Sequence, residues 1–164
     1  NTSFGQGMTA TPLQMAAAVA SVVNGGTYYQ PRLVESVFED NGNDKGKAPV
    51  VVKSNVVSPQ VSREVRLMME NVVNSNLPSA SRDGYSVGGK TGTAEIANPE
   101  GGYYDDRFNG TYIGFVGGDR PEYVIIVRVN EPKIAGYAGS RAAGPVFSDV
   151  VNMLIDNFSV RSEI

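Results

Sequence analysis

Any chemistry in this chain has to come from a short list of side chains. Its 164 residues include no His and no Cys, which removes a Ser-His-Asp triad, a His base, thiol nucleophiles, disulfides and any His- or Cys-ligated metal. Lys, Tyr and the carboxylates remain as acid–base groups, and no metal or cofactor is expected. The stretch Gly84-Tyr85-Ser86-Val87-Gly88-Gly89-Lys90-Thr91-Gly92-Thr93 sets one ammonium among glycines and follows it with two hydroxyls. From Gly84 to Thr91 it satisfies the phosphate-loop spacing G-x-x-x-x-G-K-[ST], in which loop amides and a helix N-terminus hold an anion. In an extended segment the same Lys90 would instead face a groove. Thr91 and Thr93 would then offer hydroxyls to a carboxylate, and Gly92 would let another molecule come close to the backbone.

The elements that must position these residues decide between the two readings. Thr11-Pro12-Leu13-Gln14 is a capping box with Pro at the first helical position, and an Ala-rich helix follows from 12 to 24 until Gly25-Gly26 stops it. Tyr28 to Phe38 and Val50 to Lys53 read as two strands around a polar tip, Glu39 to Lys47. Ser58-Pro59 opens a second helix with Val61, Val65, Met68, Met69 and Val72 on one face and Arg66 and Glu70 paired on another. Asn74 to Asp83 reads as loop. Strands are expected at Tyr85 to Ile96, Thr111 to Val116 and Tyr123 to Asn130, the last two as a hairpin turning at Gly117 to Pro121. A closing helix starts at Gly144-Pro145, with Val146, Phe147, Val150, Val151, Leu154, Ile155 and Phe158 as its apolar stripe.

A phosphate loop needs a buried strand entering and a helix leaving directly from Lys-Thr. Ser79-Ala80-Ser81-Arg82-Asp83 upstream is no apolar strand, and Gly92, Pro99, Gly101 and Gly102 downstream break any helix. The strand reading is therefore the one we adopt, within an α+β architecture of antiparallel sheet and packed helices. Taken alone, the four residues Lys90 to Thr93 fit an ordinary surface strand with a solvated Lys equally well. A net charge of −3 and the lack of any basic stripe argue against nucleic acid as a partner. No run of about 18 apolar residues occurs, so this stretch neither spans nor inserts into a membrane by itself.

Beyond Lys90-Thr91-Gly92-Thr93, the chain resembles, in order, the C-terminal half of the transpeptidase domain of class B penicillin-binding proteins. The segments carrying the likeness are Phe4-Gly5-Gln6-Gly7-Met8 with Thr11 to Ala16, then Asn24-Gly25-Gly26, Pro31-Arg32-Leu33-Val34 and Gly84-Tyr85. Gly114-Phe115-Val116-Gly117, Glu131-Pro132-Lys133 and Ala142-Ala143-Gly144-Pro145-Val146-Phe147 complete the series. The resemblance implies the fold of penicillin-binding proteins and serine β-lactamases. It also implies a serine acyl transferase that attacks a D-Ala-D-Ala stem peptide of peptidoglycan, releases D-Ala and passes the acyl group to an amine, with β-lactams as alternative ligands. Carried over by position, Lys90 helps proton movement and polarises the site. Thr93 offers its hydroxyl to the substrate carboxylate and its N–H to the oxyanion, while Thr91 and Gly92 shape the same wall.

None of the five lysines has a Ser three positions before it, so the family's Ser-x-x-Lys nucleophile motif is absent, and its Ser-x-Asn is absent too. Ser81-Arg82-Asp83 reads as a loop cap. The expectation is that residues 1–164 are the C-terminal portion of one transpeptidase domain. The chain alone would then be inactive, and helix 12 to 24 would lack a partner supplied by the missing N-terminal half. The parent would work at the extracytoplasmic face of a bacterial plasma membrane, through an anchor outside this chain and beside other cell-wall synthesis proteins. A β-lactam sensor or a non-catalytic docking module is the alternative. The Gln6 loop and the 97–110 loop are expected to border the Lys90 groove, with Tyr103 to Arg107 as a mobile lip and Arg141 on the surface.

Overall fold

The computed structural model describes residues 7–38, 40, 46, 48–134 and 139–162. Phe4, Gly5 and Gln6 of the expected rim, and most of the Glu39 to Lys47 tip, lie outside the described residues. Among the described residues, no helix is long and apolar enough to cross a membrane.

The helices begin where their caps place them. Helix α1, Pro12–Val23, opens with Thr11 Oγ1 accepting from the Gln14 N–H at 3.2 Å and the Gln14 side-chain oxygen accepting from the Thr11 N–H at 2.8 Å. Helix α2, Pro59–Asn76, opens with Ser58 Oγ accepting from the Val61 N–H. Its C-terminal end overruns the expected boundary, because Asn74 to Asn76 stay helical until Pro78, which lacks the N–H that would continue the helix. A 3₁₀ turn, Pro78–Ala80, follows. Helix α3, Gly144–Asn157, leaves a π-helical turn at Gly139–Ala143.

The first strand is much shorter than expected. Strand β1 is only Tyr28–Tyr29, paired antiparallel with β2, Val51–Lys53. Pro31 ends the pairing, since its nitrogen cannot donate to a ladder. The main sheet holds β3, Ser86–Ala97, β4, Tyr103–Gly117, and β5, Pro121–Asn130, all antiparallel in the order β3-β4-β5. Strand β4 starts eight residues before the expected Thr111, and the β3–β4 ladder continues through Ala94↔Asn109 and Glu95↔Phe108 to Ala97↔Tyr103. The expected 97–110 loop therefore shrinks to a tight turn at Asn98 to Gly102, where Gly101 and Gly102 take φ of 111° and 73°.

Register assigns the faces of the sheet. Gly88 opposes Phe115, and a Cβ at Gly88 would lie 2.6 Å from Phe115 Cζ and 2.9 Å from Met69 Cβ, so this face meets α2. Val124, the β5 partner of Phe115, shares a hollow with Ala16, Ala17 and Ala20 of α1. The opposite face carries Val87, Gly89, Tyr112, Gly114 and Val116, with the Tyr112 ring against Phe147 of α3 at 4.6 Å between centroids. Val73, Ala80, Val87, Tyr112, Val116, Ala143, Phe147, Val151 and Val160 form one buried cluster. The end of α2 is tied to α3 through Ser79: its hydroxyl accepts from Ser148 Oγ at 3.1 Å and its carbonyl from Asn152 Nδ2 at 3.1 Å.

Both apolar helix stripes are narrower than the sequence suggests. In α2 the buried positions are Ser62 and Val73, while Val61 and Met68 are exposed. In α3, Phe147 and Val151 are buried, and Val146 and Phe158 are exposed. Arg66 and Glu70 reach different partners: Arg66 Nη1 donates to the Asp119 carbonyl at 3.0 Å, and Glu70 Oε1 accepts from the Ser86 hydroxyl.

Candidate active site

In the described sheet β3 pairs with β4 along one edge and has no strand neighbour on the other, and Lys90 lies in this edge strand. Its side chain is exposed, with Nζ donating to the Thr91 carbonyl at 2.9 Å and to Thr91 Oγ1 at 3.3 Å. The ammonium thus bends across the strand edge toward the face that carries Thr91 and its register partner Tyr112. A cavity of about 430 Å³ opens there, lined by Lys90, Thr91, Thr93 and Tyr112, by Val72, Asn76 and Leu77 at the end of α2, and by Ser140 of the π-helical turn. No Asp or Glu among the described residues lines it, so one cation and four hydroxyls give it the character of an anion site.

Thr93 is held from the same turn. Its Oγ1 accepts from the Gly139 N–H at 3.2 Å, and an accepting oxygen keeps its own O–H available to a ligand. Gly92 has a different neighbour from the one its sequence context suggests. A Cβ on Gly139 would fall 2.9 Å from the Thr111 carbonyl and closer still to the Gly92 carbonyl, which also accepts from Thr111 Oγ1 at 3.2 Å. The close approach at Gly92 is made by the chain itself.

The remaining sequence candidates are not among the residues that line the cavity. Ser81 Oγ donates to Asn74 Oδ1 at 2.8 Å and Arg82 pairs with Asp156, a capping and bridging role. Arg141 is exposed in the π-helical turn. Tyr103 to Arg107 lie in β4, where the Arg107 guanidinium covers the Tyr104 ring at 4.3 Å and grips Glu131 with bonds of 2.9 and 2.7 Å. That grip holds the Glu131 carboxyl below the usual carboxylate range. A larger hollow, about 670 Å³, lies at the β4–β5 turn beside Glu122 and Arg161. Those two already form an ion pair at 3.1 Å, and no hydroxyl–ammonium grouping like that at Lys90 accompanies them.

Sequence reasoning missed Tyr112, Asn76 and Ser140. Tyr112 sits in an apolar strand run that reads as core, and only the register with Thr91 brings it to the cavity. Burial pushes its phenol above the ordinary tyrosine value, so the group keeps its proton at neutral pH.

A family model described as the penicillin binding protein transpeptidase domain matches residues 1–152. Stage V sporulation protein D of Bacillus subtilis is 34% identical over 98% of this chain and 25% of its own length. Penicillin-binding protein PbpB of Mycolicibacterium smegmatis is 36% identical over 98% of this chain and 26% of its own. The crystal structure of penicillin-binding protein 3 from Mycobacterium tuberculosis complexed with aztreonam superposes with a TM-score of 0.83 at 31% identity, covering 99% of this chain and 38% of that one. The chain therefore spans about a quarter of the length of these curated relatives.

Proposed function

The chain belongs to the penicillin-binding protein transpeptidase family, and from that premise we propose that it is the C-terminal portion of the catalytic domain of a peptidoglycan D,D-transpeptidase. In the proposed reaction a serine oxygen, on polypeptide outside these 164 residues, attacks the carbonyl carbon of the D-Ala-D-Ala amide. The C–N bond breaks and D-Ala leaves with a proton. An amine of a neighbouring stem peptide then attacks the acyl ester, a new amide forms, and the serine recovers its proton. Covalent catalysis without His requires another base or proton carrier near the nucleophile.

The single observation that carries the reading is the grouping of Lys90, Thr91 and Thr93 around one acid-free cavity beside the outer edge of β3. In this role Lys90 polarises the site and assists proton movement, and Thr93 gives its hydroxyl to the substrate carboxylate and its N–H to the oxyanion. Thr91 and Gly92 form the wall. Relatives named as transpeptidases and penicillin-binding proteins favour this over a sensor or docking module. The stem peptide and β-lactams are the proposed ligands, as is a site of action outside the plasma membrane through an anchor elsewhere in the protein.

Fluorescent penicillin tests the proposal. The full-length protein should be labelled covalently, and Lys90→Ala should slow labelling by about 100-fold or more, the usual range for a group that moves protons in the transition state. The isolated 164 residues should not be labelled. A full-length protein that resists labelling would refute the transpeptidase reading, and stoichiometric labelling of residues 1–164 alone would refute the external nucleophile.

A further inference from the structure

The peptide that joins Gly92 to Thr93 is gripped at its carbonyl end. Thr111, registered opposite Gly92 on β4, donates from Oγ1 to the Gly92 carbonyl at 3.2 Å. Gly139 covers the same carbonyl from the opposite face of the sheet, where its N–H donates to Thr93 Oγ1 at 3.2 Å; neighbouring positions of a strand face opposite sides. A Cβ on Gly139 would fall 2.9 Å from the Thr111 carbonyl and closer still to that of Gly92, so the two carbonyls converge on the seam between β3 and β4. A trans peptide is planar, with its C=O and N–H pointing opposite ways. With the Gly92 carbonyl turned into the seam, the Thr93 N–H is turned toward the edge of β3 that has no strand neighbour in the described sheet.

Resting on the reading above for the task of the Thr93 N–H, we propose that Thr111 is a positioning residue of the oxyanion site: its hydroxyl, acting through the rigid Gly92–Thr93 peptide, fixes the direction in which the Thr93 N–H points. A donor stabilises an oxyanion only when it is aimed, before reaction, at the point where the charge develops. Glycine is the residue least able to hold its own backbone direction, and Gly92 supplies the carbonyl half of this peptide. The bond from Thr111 replaces the restraint that a side chain would give, and Gly139 blocks the carbonyl from tipping to the other face. Because the peptide is planar, any swing of the carbonyl carries the N–H with it. Threonine suits the task, since branching at Cβ restricts the side chain that carries the hydroxyl. The strands do not need that hydroxyl to stay paired: the β3–β4 ladder runs unbroken from Ser86↔Gly117 to Glu95↔Phe108.

Thr111→Val in the full-length protein removes the donor and keeps the shape, while Thr111→Ser keeps the donor. Acylation by benzylpenicillin is resolved into the affinity of the first complex and the rate constant of acylation. Thr111→Val should lower the rate constant by about two- to tenfold, the range for one hydrogen bond, with affinity and melting temperature unchanged, and Thr111→Ser should restore it. An acyl-D-Ala ester and its thionoester, with sulfur in place of the attacked carbonyl oxygen, read the oxyanion contact itself. Sulfur accepts hydrogen bonds weakly, so the wild-type preference for the oxygen ester should shrink in Thr111→Val. Equal loss for the two esters, no rescue by Thr111→Ser, no loss at all, or a loss of affinity together with a lower melting temperature overturns the role of Thr111, and the transpeptidase reading stands if wild type is acylated. A protein that penicillin never acylates, but whose oxygen preference on the esters falls in Thr111→Val, keeps this inference while the transpeptidase reading fails. A wild type inert toward penicillin and both esters overturns both.

Discussion

Gly88 and Gly89 are neighbours in sequence and clear space on opposite faces of β3, Gly88 for Phe115 and Gly89 for Tyr112. Each ring is wedged against a second element, so neither can retreat from a new methyl group without disturbing α2 or α3. Gly89→Ala should therefore cost about 1–3 kcal/mol by urea unfolding, the range for overpacking a filled core. Combining it with Tyr112→Val should recover part of that loss, because the clash partner is gone; strictly additive losses would show that the ring is not the obstacle. These glycines show how far single residues were legible. Lys90, Thr91 and Thr93 could be picked out because their pattern is local. A glycine, by contrast, announces that something comes close without saying what. The sequence context suggested close approach of another molecule at Gly92 but gave no sign that Gly139, forty-seven positions away, also packs against its carbonyl. Tyr112 stayed hidden for the same reason: its place beside Thr91 exists only once the strands are in register.

At the scale of elements, helix starts were legible because Thr11, Gln14 and Ser58 hydrogen-bond backbone within three residues and the following prolines already hold a helical φ. Strand β4 was not, since its first eight residues, Tyr103 to Gly110, are polar and aromatic in no clear alternation. They are extended because β3 and then β5 supply partners, and because Arg107 is clamped by Glu131 just beyond β5. Glu131 also holds the strained left-handed backbone, φ 46°, that lets its N–H reach the Phe108 carbonyl at 3.0 Å. Its carboxyl is held low first by the Arg107 hydrogen bonds and then by the charges of Arg107 and Lys133. A depressed carboxyl stabilises the fold at pH values above its unfolded value, about 4.3, and that contribution is lost as pH falls through the lower folded value. The Tyr103–Arg107 segment should thus be firm at neutral pH and loosen only in acid, below about pH 4. Amide exchange across 103–110 should accelerate there, and Glu131→Gln should give the faster exchange already at pH 7. Exchange that is unchanged in Glu131→Gln would mean that the ladder alone holds the strand.

At the scale of the whole molecule, Leu13 and Met15 of α1 and Val61, Leu67 and Met68 of α2 are exposed, on helices that contact each other. The expected gap beside α1 therefore falls on Leu13 and Met15, while Ala16, Ala17 and Ala20 are half-buried in the hollow with Val124. Among the described residues, the outer edge of β5 likewise has no strand neighbour in the sheet. Apolar surface of this extent seeks cover, and an unpaired strand edge is a template for another chain. The isolated chain should consequently associate with itself as its concentration rises, which sedimentation velocity would detect. The double variant Leu13→Glu, Met68→Glu should weaken that association without lowering helix content. Supplying the rest of the proposed domain in trans should replace self-association with a one-to-one complex and raise the melting temperature. A partner at 100 times its dissociation constant adds about 2.7 kcal/mol by mass action alone. A strictly monomeric isolated chain that unfolds as sharply as a complete domain would show that these faces tolerate water and need no partner.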